Sequence, residues 1–422
     1  MAAEGSTLQE DGWTMLKGAD AVAHGVCSTQ PDVVSAYPIT PQTGIVERLS
    51  ELHADGMLDG EFLKVDSEFN AASSCIGASA AGARVFSATC SQGLKLMSEP
   101  LFTAAGMRLP IVMAVANRSL SAPISIWNDH TDAFAERDGG MIQFFAKDVQ
   151  EAVDTIFVAY RVAETSGISL PVLVNLDGFI LTHVKEPVSI PDEAAVDRYL
   201  PPREPHATLD PSNPKSMGPV GRPEHWTEAR YAVQEAMLRS REVIPEATEA
   251  FAEQFGRAYG LEYDGMLEVY GPDDAALALV GLGSIAGTIQ HVIDERSARG
   301  ADHAGNVKLV RPRVLRPFPA EQLRAALSGV EAVGVLGKEN SPGYQHSFAG
   351  ELKSALYHSD VRPIVRSYVV GMGGRDVPHE DVEAIVEEVA ATAEDGPPDR
   401  FVEEERWPQL HAEMLPTEVT QG

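Results

Sequence analysis

Short β-branched runs alternate along the chain with longer stretches whose apolar residues recur near the helical period. Residues 12–26 place Trp13, Leu16, Ala19, Val22, Ala23 and Val26 on one side of a helix, which leads into the apolar run Val33-Val34-Ser35-Ala36. A β-branched run stopped by two prolines reads as a buried strand entering a stiff loop, here Tyr37-Pro38-Ile39-Thr40-Pro41. A second helix with Ile45, Val46 and Leu49 as its buried stripe ends before Gly56. The pattern then predicts a strand at 62–65, a small-residue helix from 70 to 81 closed by Gly82, and a strand at 84–89. A helix through Met97 and Leu101 and a strand at 111–116 follow. After a long mixed loop, 120–132, a helix is expected at 149–164 and a strand at 170–176.

Prolines are dense between 187 and 223, which excludes regular structure there. His206, Leu209, Met217 and Trp226 recur within or just after that stretch, so it is expected to be an ordered arm wrapped over a neighbouring subunit rather than a disordered linker. An amphipathic helical region follows at 227–259, interrupted at Pro245. Strands resume at 275–280, 307–310, 332–336 and 365–370, and an acidic helix around 381–391 closes the pattern. The chain of 422 residues exceeds one ordinary core. The organisation expected is a first domain at 1–268 containing the arm 187–226 and the helical region 227–259, a second domain at 269–393, and a charged tail at 394–422. Strand and helix alternate throughout, so both domains read as α/β, with parallel sheets, right-handed crossovers and helices on both faces.

That fold class has a positional consequence, because ligands in such sheets bind beyond the carboxyl ends of the strands. Those ends supply Thr40, Glu68, Ser91-Gln92-Gly93 and Arg118. Each has a structural and a functional reading. Pro38 and Pro41 either simply stop a strand or aim the Thr40 hydroxyl at a ligand. Glu68 is either an acid placed at a helix start by the helix dipole or a carboxylate that bonds a cofactor ring nitrogen. Arg118 is either paired locally or offers a forked donor to a substrate carboxylate. A site holding both residues suits a 2-oxoacid bound beside thiamine diphosphate.

The loop 120–132 mixes large apolar and polar side chains and reads as a lid. Asp129, His130 and Asp132 within it match no strong metal-ligand spacing, and they are expected to hydrogen-bond the loop to itself. In the second domain, Gly281-Leu282-Gly283-Ser284-Ile285-Ala286 fits the loose dinucleotide fingerprint Gly-x-Gly-x-x-Ala. A nicotinamide site needs an acid at the end of the next strand, and Arg311-Pro312-Arg313 stands there instead. The turn is therefore expected to serve close strand–helix packing, leaving the helix start free to meet an anion from a partner chain.

Charge and cysteine content narrow the function classes. The net charge is −29, from 62 acidic residues against 33 Lys and Arg, which argues against nucleic acid or an anionic membrane as partner. No apolar run reaches the ~20 residues needed to span a bilayer and no signal pattern opens the chain, so the cytoplasm is the expected location. Cys27, Cys75 and Cys90 lie far apart without Cys-x-x-Cys spacing, so neither disulfides nor a zinc or iron–sulfur site is expected on this chain.

Tyr37-Pro38-Ile39-Thr40-Pro41, Val65-Asp66-Ser67-Glu68, Ser91-Gln92-Gly93-Leu94, Leu109-Pro110-Ile111-Val112 and Asn117-Arg118-Ser119-Leu120-Ser121-Ala122-Pro123 together resemble the α subunit of 2-oxoacid:ferredoxin oxidoreductases, most closely the pyruvate type. The likeness continues through Asn128-Asp129-His130, Leu176-Asp177-Gly178-Phe179, Arg316-Pro317-Phe318-Pro319 and Gly371-Met372-Gly373-Gly374-Arg375-Asp376, in order over most of the chain. The resemblance implies a thiamine-diphosphate pyrimidine-binding-type domain followed by a transketolase C-terminal-like domain. It implies that Glu68 contacts the aminopyrimidine and that Thr40, Arg118 and Asn128 orient the 2-oxoacid. Pro38, Ile39, Ser91, Gln92 and Gly93 would complete the cofactor wall, with no metal held by this chain. A β subunit is implied to hold the diphosphate and Mg2+. A γ subunit, an iron–sulfur subunit with [4Fe-4S] clusters, ferredoxin as acceptor and coenzyme A as co-substrate complete the expected system. The loop Lys338-Glu339-Asn340-Ser341-Pro342-Gly343 departs from the usual pyruvate-type pattern, which leaves aryl, branched-chain or dicarboxylic 2-oxoacids, with NAD as acceptor through another subunit, as the alternative. A non-catalytic scaffold is the remaining one, and retention of Thr40, Glu68 and Arg118 together argues against it.

Overall fold

The computed structural model describes residues 12–300, 306–396 and 405–415. The first part of the chain runs β1 (Thr14–Lys17), α1 (Gly18–Ser28), β2 (Val33–Ala36), α2 (Thr43–Ala54), β3 (Glu61–Lys64), α3 (Glu68–Ala81), β4 (Val85–Thr89), α4 (Ser91–Leu96), α5 (Ser98–Met107) and β5 (Val112–Asn117). It continues through α6 (Thr131–Ala135), β6 (Ile142–Phe145), α7 (Val149–Glu164), β7 (Val172–Asp177), α8 (Ile180–His183), β8 (Lys185–Val188), α9 (Glu193–Tyr199) and α10 (Pro223–Phe255). Every residue of β4, β5 and β7 is buried, as expected for central parallel strands covered on both faces. One face packs against Val22, Ile45, Leu49, Ile156 and Phe157 of α1, α2 and α7. The other packs against Ala71, Ala72, Cys75 and Leu101 of α3 and α5, where small side chains let α3 lie close to the sheet.

The second part comprises β9 (Leu267–Tyr270), β10 (Leu277–Gly281), α11 (Ile285–Arg299), β11 (Val307–Pro312), β12 (Val314–Arg316), α12 (Ala320–Ala326), β13 (Ala332–Gly337), α13 (Ser347–Leu356), β14 (Ile364–Val369), α14 (His379–Asp395) and β15 (Glu405–Arg406). Its sheet has the order β15-β14-β13-β10-β11-β9, parallel except for the antiparallel edge strand β9. The first sheet has the order β12-β6-β7-β5-β4-β2-β3. Its edge strand β12 comes from the second part of the chain and pairs antiparallel with β6. The expected boundary at 268/269 thus falls inside β9, and the chain crosses back once more through β12.

Several elements differ from the periodicity. The helix expected from residue 12 begins at Gly18, because Thr14–Lys17 instead pairs with Lys185–Val188. Trp13 and Met15 stay exposed, and a Cβ on Gly18 would collide with the Leu181 carbonyl oxygen, so glycine permits the close start of α1. Helix α10 runs through Pro245 without a break. The proline removes one donor, but Ile244, Ala247 and Phe251 remain buried, with Phe251 stacked on Phe157 of α7, and that packing keeps the segment helical across the proline. The proline-dense arm is not wholly irregular, since α9, capped by Asp192, forms in its proline-free stretch, and the arm is laid on its own domain: Arg203 donates to the Ser79 and Ala83 carbonyls and the Leu209 N–H to the Ala80 carbonyl. Val220 and Trp226 on its outer side are exposed.

The two parts meet across buried charge. Arg311 and Arg313, whose presence excluded an acid at the end of β11, reach back to Glu151 in α7 at 2.9 and 2.6 Å. Arg311 also binds Glu268 at 2.8 Å. Burial opposes the Glu151 charge, but the two guanidinium groups outweigh it and lower its pKa to about 2. Among the described residues no helix is long and apolar enough to cross a membrane.

Candidate active site at the carboxyl ends of the first sheet

The loop after β2 is tied down by a residue the periodicity did not single out. Gln42 is fully buried; its Oε1 accepts the Ile39 N–H at 3.2 Å and its Nε2 donates to the Ala88 carbonyl in β4 at 2.9 Å. The Cys90 thiol approaches the Thr40 carbonyl at 3.2 Å from the other side. With its backbone fixed in this way, Thr40 is exposed on the rim, next to an exposed Pro38 and a half-buried Ile39.

Glu68 opens α3, whose N-cap Ser67 accepts the Asn70 N–H at 3.2 Å. The capping need is thus met by Ser67, and the Glu68 carboxylate, only 8% exposed, accepts no hydrogen bond among the described residues. It lies against Gly93, where an added Cβ would come within 2.7 Å of Glu68 Oε1 and also meet the Thr89 hydroxyl. Glycine at 93 is therefore required by space. The Thr89 hydroxyl there, and the Nε2 of Gln92 in the residue before Gly93, are both buried without a partner. Buried polar atoms seldom go unpaired, so a carboxylate, a hydroxyl and an amide nitrogen left free together describe a cradle for a polar ring.

Arg118 closes the rim. Its Nε donates to the Ser125 carbonyl and its Nη1 to the Thr40 carbonyl, both at 2.8 Å, while Nη2 stands 3.5 Å from Gln92 Oε1. Among the described residues no carboxylate lies within ion-pair distance of this guanidinium. The local salt bridge is thus not what holds it, and neutral carbonyls leave its charge and part of its donor fork available.

Thr40, Glu68, Ser91, Gln92, Gly93 and Arg118 converge in this way; Asn128 does not share the cradle. Its side chain is buried at the seam of the two domains, donating to the Asn117 carbonyl at 3.3 Å and accepting from Lys338 Nζ at 3.2 Å. Lys338 also binds Asp177 Oδ2 at 2.8 Å, and His130 Nε2 binds Asp177 Oδ1 at 2.6 Å. The Ser284 hydroxyl and N–H donate to the same carboxylate. Burial opposes the Asp177 charge, but Lys338 and His130 hold its carboxyl well below the usual carboxylate range. The start of α11 therefore meets an anion from its own chain, where an anion from a partner was expected. Gly283, at φ +72°, leaves the room: a Cβ there would lie 2.9 Å from Asp177 Oδ1.

Asp129, His130 and Asp132, expected to bond the 120–132 loop to itself, instead fasten it to other segments, His130 through Asp177 and the two acids through donors on both sides of the loop. Asp129 Oδ2 accepts the Ser119 hydroxyl at 2.6 Å and the Gly373 N–H at 3.2 Å, and Asp132 accepts four N–H groups. No group of three His, Cys, Asp or Glu side chains able to hold a metal occurs among the described residues. Gln42 and Thr89 carried no local signal that marked them for the site, and Asp177 stood in a family-like motif without an assigned role. Their roles depend on which strand ends become neighbours.

A profile described as "Pyruvate flavodoxin/ferredoxin oxidoreductase, thiamine diP-bdg" matches residues 24–249, more than half of the chain. The chain belongs to this pyruvate:ferredoxin oxidoreductase family. A second profile, "Pyruvate:ferredoxin oxidoreductase core domain II", matches residues 275–382. The pyruvate synthase subunit PorA of Methanocaldococcus jannaschii is 48% identical over 383 residues, covering 90% of this chain and 96% of that protein. The ketoisovalerate oxidoreductase subunit VorA of Pyrococcus horikoshii is 40% identical, covering 92% and 96%. Among solved structures, the 2-oxoglutarate:ferredoxin oxidoreductase from Magnetococcus marinus matches with a TM-score of 0.65 at 21% identity, over 90% of this chain and 65% of that chain. A split-gene transketolase matches at a TM-score of 0.51 and 13% identity, over 88% and 98%. The family fold is thus a thiamine-diphosphate-binding α/β domain followed by a transketolase-like α/β domain.

Proposed function

We propose that this chain is the α subunit of a multi-subunit pyruvate:ferredoxin oxidoreductase, in which pyruvate is decarboxylated and its acyl group passes to coenzyme A while electrons leave through iron–sulfur clusters to ferredoxin. The observation that carries this reading is the pairing of two unspent groups on one rim: the buried, unpartnered Glu68 carboxylate and the Arg118 guanidinium with no acid beside it. The residues fit the aminopyrimidine of thiamine diphosphate, because Glu68 offers a carboxylate to a ring nitrogen and Thr89 and Gln92 offer an unpaired hydroxyl and amide beside it. When bound, that cofactor supplies the nucleophilic carbon.

The work of this chain is to orient and to move protons. Glu68 would hold the ring nitrogen of that cofactor, accepting or returning a proton at its own carboxylate. Arg118 binds the 2-oxoacid carboxylate through the donors its carbonyl partners leave over, and Thr40 donates to the keto oxygen from the fixed loop. Asn128, anchored by Lys338, keeps the 120–132 loop over the substrate and reaches it only through that loop. The diphosphate and Mg2+ belong to a β subunit, and the clusters to an iron–sulfur subunit beside a γ subunit in a cytoplasmic complex. This division agrees with three buried cysteines that share no cluster spacing.

A second reading keeps the chemistry and changes the substrate to a branched 2-oxoacid, favoured by the relatedness to ketoisovalerate oxidoreductase subunits. Purification of the native complex, followed by turnover with coenzyme A and either ferredoxin or NAD, decides between them. The expected outcome is a kcat/KM for pyruvate at least tenfold above those for 2-oxoisovalerate, 2-oxoglutarate and phenylglyoxylate, with ferredoxin reduced. A ranking led by 2-oxoisovalerate selects the second reading, and no turnover of any 2-oxoacid by the intact complex rejects both.

A further inference from the structure

The 120–132 loop ends in a buried acid for which the proposed reaction has no use. Asp132 is 0% exposed and has no cationic partner among the described residues. Its Oδ2 accepts the Ser91 N–H at 2.9 Å and the Arg118 N–H at 3.0 Å. Its Oδ1 accepts Asn117 Nδ2 at 3.0 Å and the Ala133 N–H at 2.7 Å. All four contacts are donors, so only a group that accepts on both oxygens satisfies the position. Burial pushes the carboxyl up to about 6 against the pull of these hydrogen bonds, so the site holds an anion at a cost that a purely apolar packing position would not carry.

Two of the donors are the backbone groups of rim residues from adjacent strands. Ser91 starts α4 with φ +49°, a left-handed conformation that a serine adopts at a cost of order 1–3 kcal/mol unless its surroundings hold it. The Asp132 bond to its N–H, with the Ser91 hydroxyl bonded to the Ser119 carbonyl, holds it. The next residue, Gln92, has a buried Nε2 without a partner, and its Oε1 accepts the Ser91 hydroxyl and faces Arg118. Arg118, on the other strand end, hangs from the same carboxylate oxygen as Ser91.

We infer that Asp132 is a positioning residue for 2-oxoacid binding: one carboxylate oxygen clamps the backbone of Ser91 and Arg118 together and so sets the spacing between the Gln92–Gly93 turn and the guanidinium. The inference rests on the assignment of Arg118 to the substrate carboxylate. Replacing Asp132 by Asn puts an amide nitrogen against two N–H donors whichever way it turns. The strand-end spacing then widens, and loss falls on substrate binding more than on the steps after it.

The test is steady-state kinetics of the assembled complex carrying Asp132→Asn, Arg118→Ala, or the exchange Asn117→Asp with Asp132→Asn. The exchange returns one acceptor oxygen to the Ser91 and Arg118 N–H groups and restores the 117–132 side-chain pair with donor and acceptor reversed, at the cost of the bonds that Asn175 Oδ1 and the Ala133 N–H make in the wild type, neither of which touches Ser91 or Arg118. The expected result is a KM for pyruvate raised at least tenfold in Asp132→Asn, an unchanged KM for coenzyme A, and recovery to within threefold of wild type in the exchange variant. KM does not depend on the fraction of enzyme that folds, so a merely structural loss lowers kcat alone. A pyruvate KM within twofold of wild type in Asp132→Asn, with Arg118→Ala raised, overturns the clamp and leaves the Arg118 assignment standing. An unchanged KM in Arg118→Ala overturns both. If Asp132→Asn fails to assemble, the exchange variant decides alone: a KM near wild type supports the clamp and a tenfold rise overturns it.

Discussion

Glu68 and the cysteines illustrate how burial decides the chemistry of a single side chain. At Glu68 the helix-start role falls to Ser67, which caps α3, and this frees the carboxylate for a ligand. Glu68→Gln keeps shape and hydrogen-bonding size but removes the proton-accepting charge. Turnover of the assembled complex is expected to fall ~10²–10⁴-fold with subunit assembly intact, as judged by size-exclusion chromatography, and ordinary turnover would remove Glu68 from the reaction. Burial pushes the thiols of Cys75 and Cys90 up to about 12, and Cys27 upward as well. Thiolate is therefore scarce at pH 8, and native protein is expected to resist alkylation by iodoacetamide while unfolded protein loses all three thiols. Rapid labelling of Cys90 in the native state would show that the loop bearing Thr40 opens.

At the scale of elements, β12 is the unexpected one. A three-residue strand from the second part of the chain caps the edge of the first sheet, and the residues just before it, Arg311 and Arg313, converge on Glu151 of α7. Both arginines bond Oε1 while Oε2 accepts the Lys147 N–H, so Glu151→Gln removes the charge that the two buried guanidinium groups share and sets its amide nitrogen against a donor whichever way it turns. It is expected to destabilise the fold by roughly 3–5 kcal/mol in urea unfolding, because an uncompensated buried charge costs more than the pair contributes. The pH dependence follows from the lowered pKa of Glu151: its contribution is present above the unfolded-state value near 4.5 and is lost as pH falls toward about 2. Acid unfolding of wild type should steepen over that window, and the Glu151→Gln protein should lack this component. None of this was legible in the pattern, where Arg311-Pro312-Arg313 served only to exclude a nicotinamide site.

For the whole molecule, the junction of the two domains bears on the site. Lys338 of the second domain holds Asp177 at the end of β7 and Asn128 in the loop above the rim. Lys338→Met keeps the stem and removes the charge, leaving Asp177 with His130 and Ser284. The expected outcome is a lowered melting temperature together with faster proteolysis within 119–130; a loop as resistant as in wild type would show that the second domain does not hold it. The departure of 338–343 from the usual pyruvate-type pattern thus falls on a segment that fastens the domains, and its lysine is buried rather than offered to substrate.

Sequence alone determined what depends on nearest neighbours along the chain. The period of the apolar residues marked the central strands, and two prolines marked the stiff loop at Thr40. Ordered motifs then marked the family, and the parallel-sheet class placed Thr40, Glu68, Ser91–Gly93 and Arg118 at strand ends. Tertiary structure decided what depends on partners far apart in sequence. Whether Arg118 is spent on an acid, whether Glu68 is spent on its helix, and whether the α11 start faces a partner or Asp177 are questions of which strand ends adjoin. Short edge strands such as β1 and β12 and the unbroken helix through Pro245 have the same origin, since long-range pairing and packing outweigh local preference there. A hydrogen-bond donor left over at Gln92 becomes visible only once every other donor around it has found its acceptor.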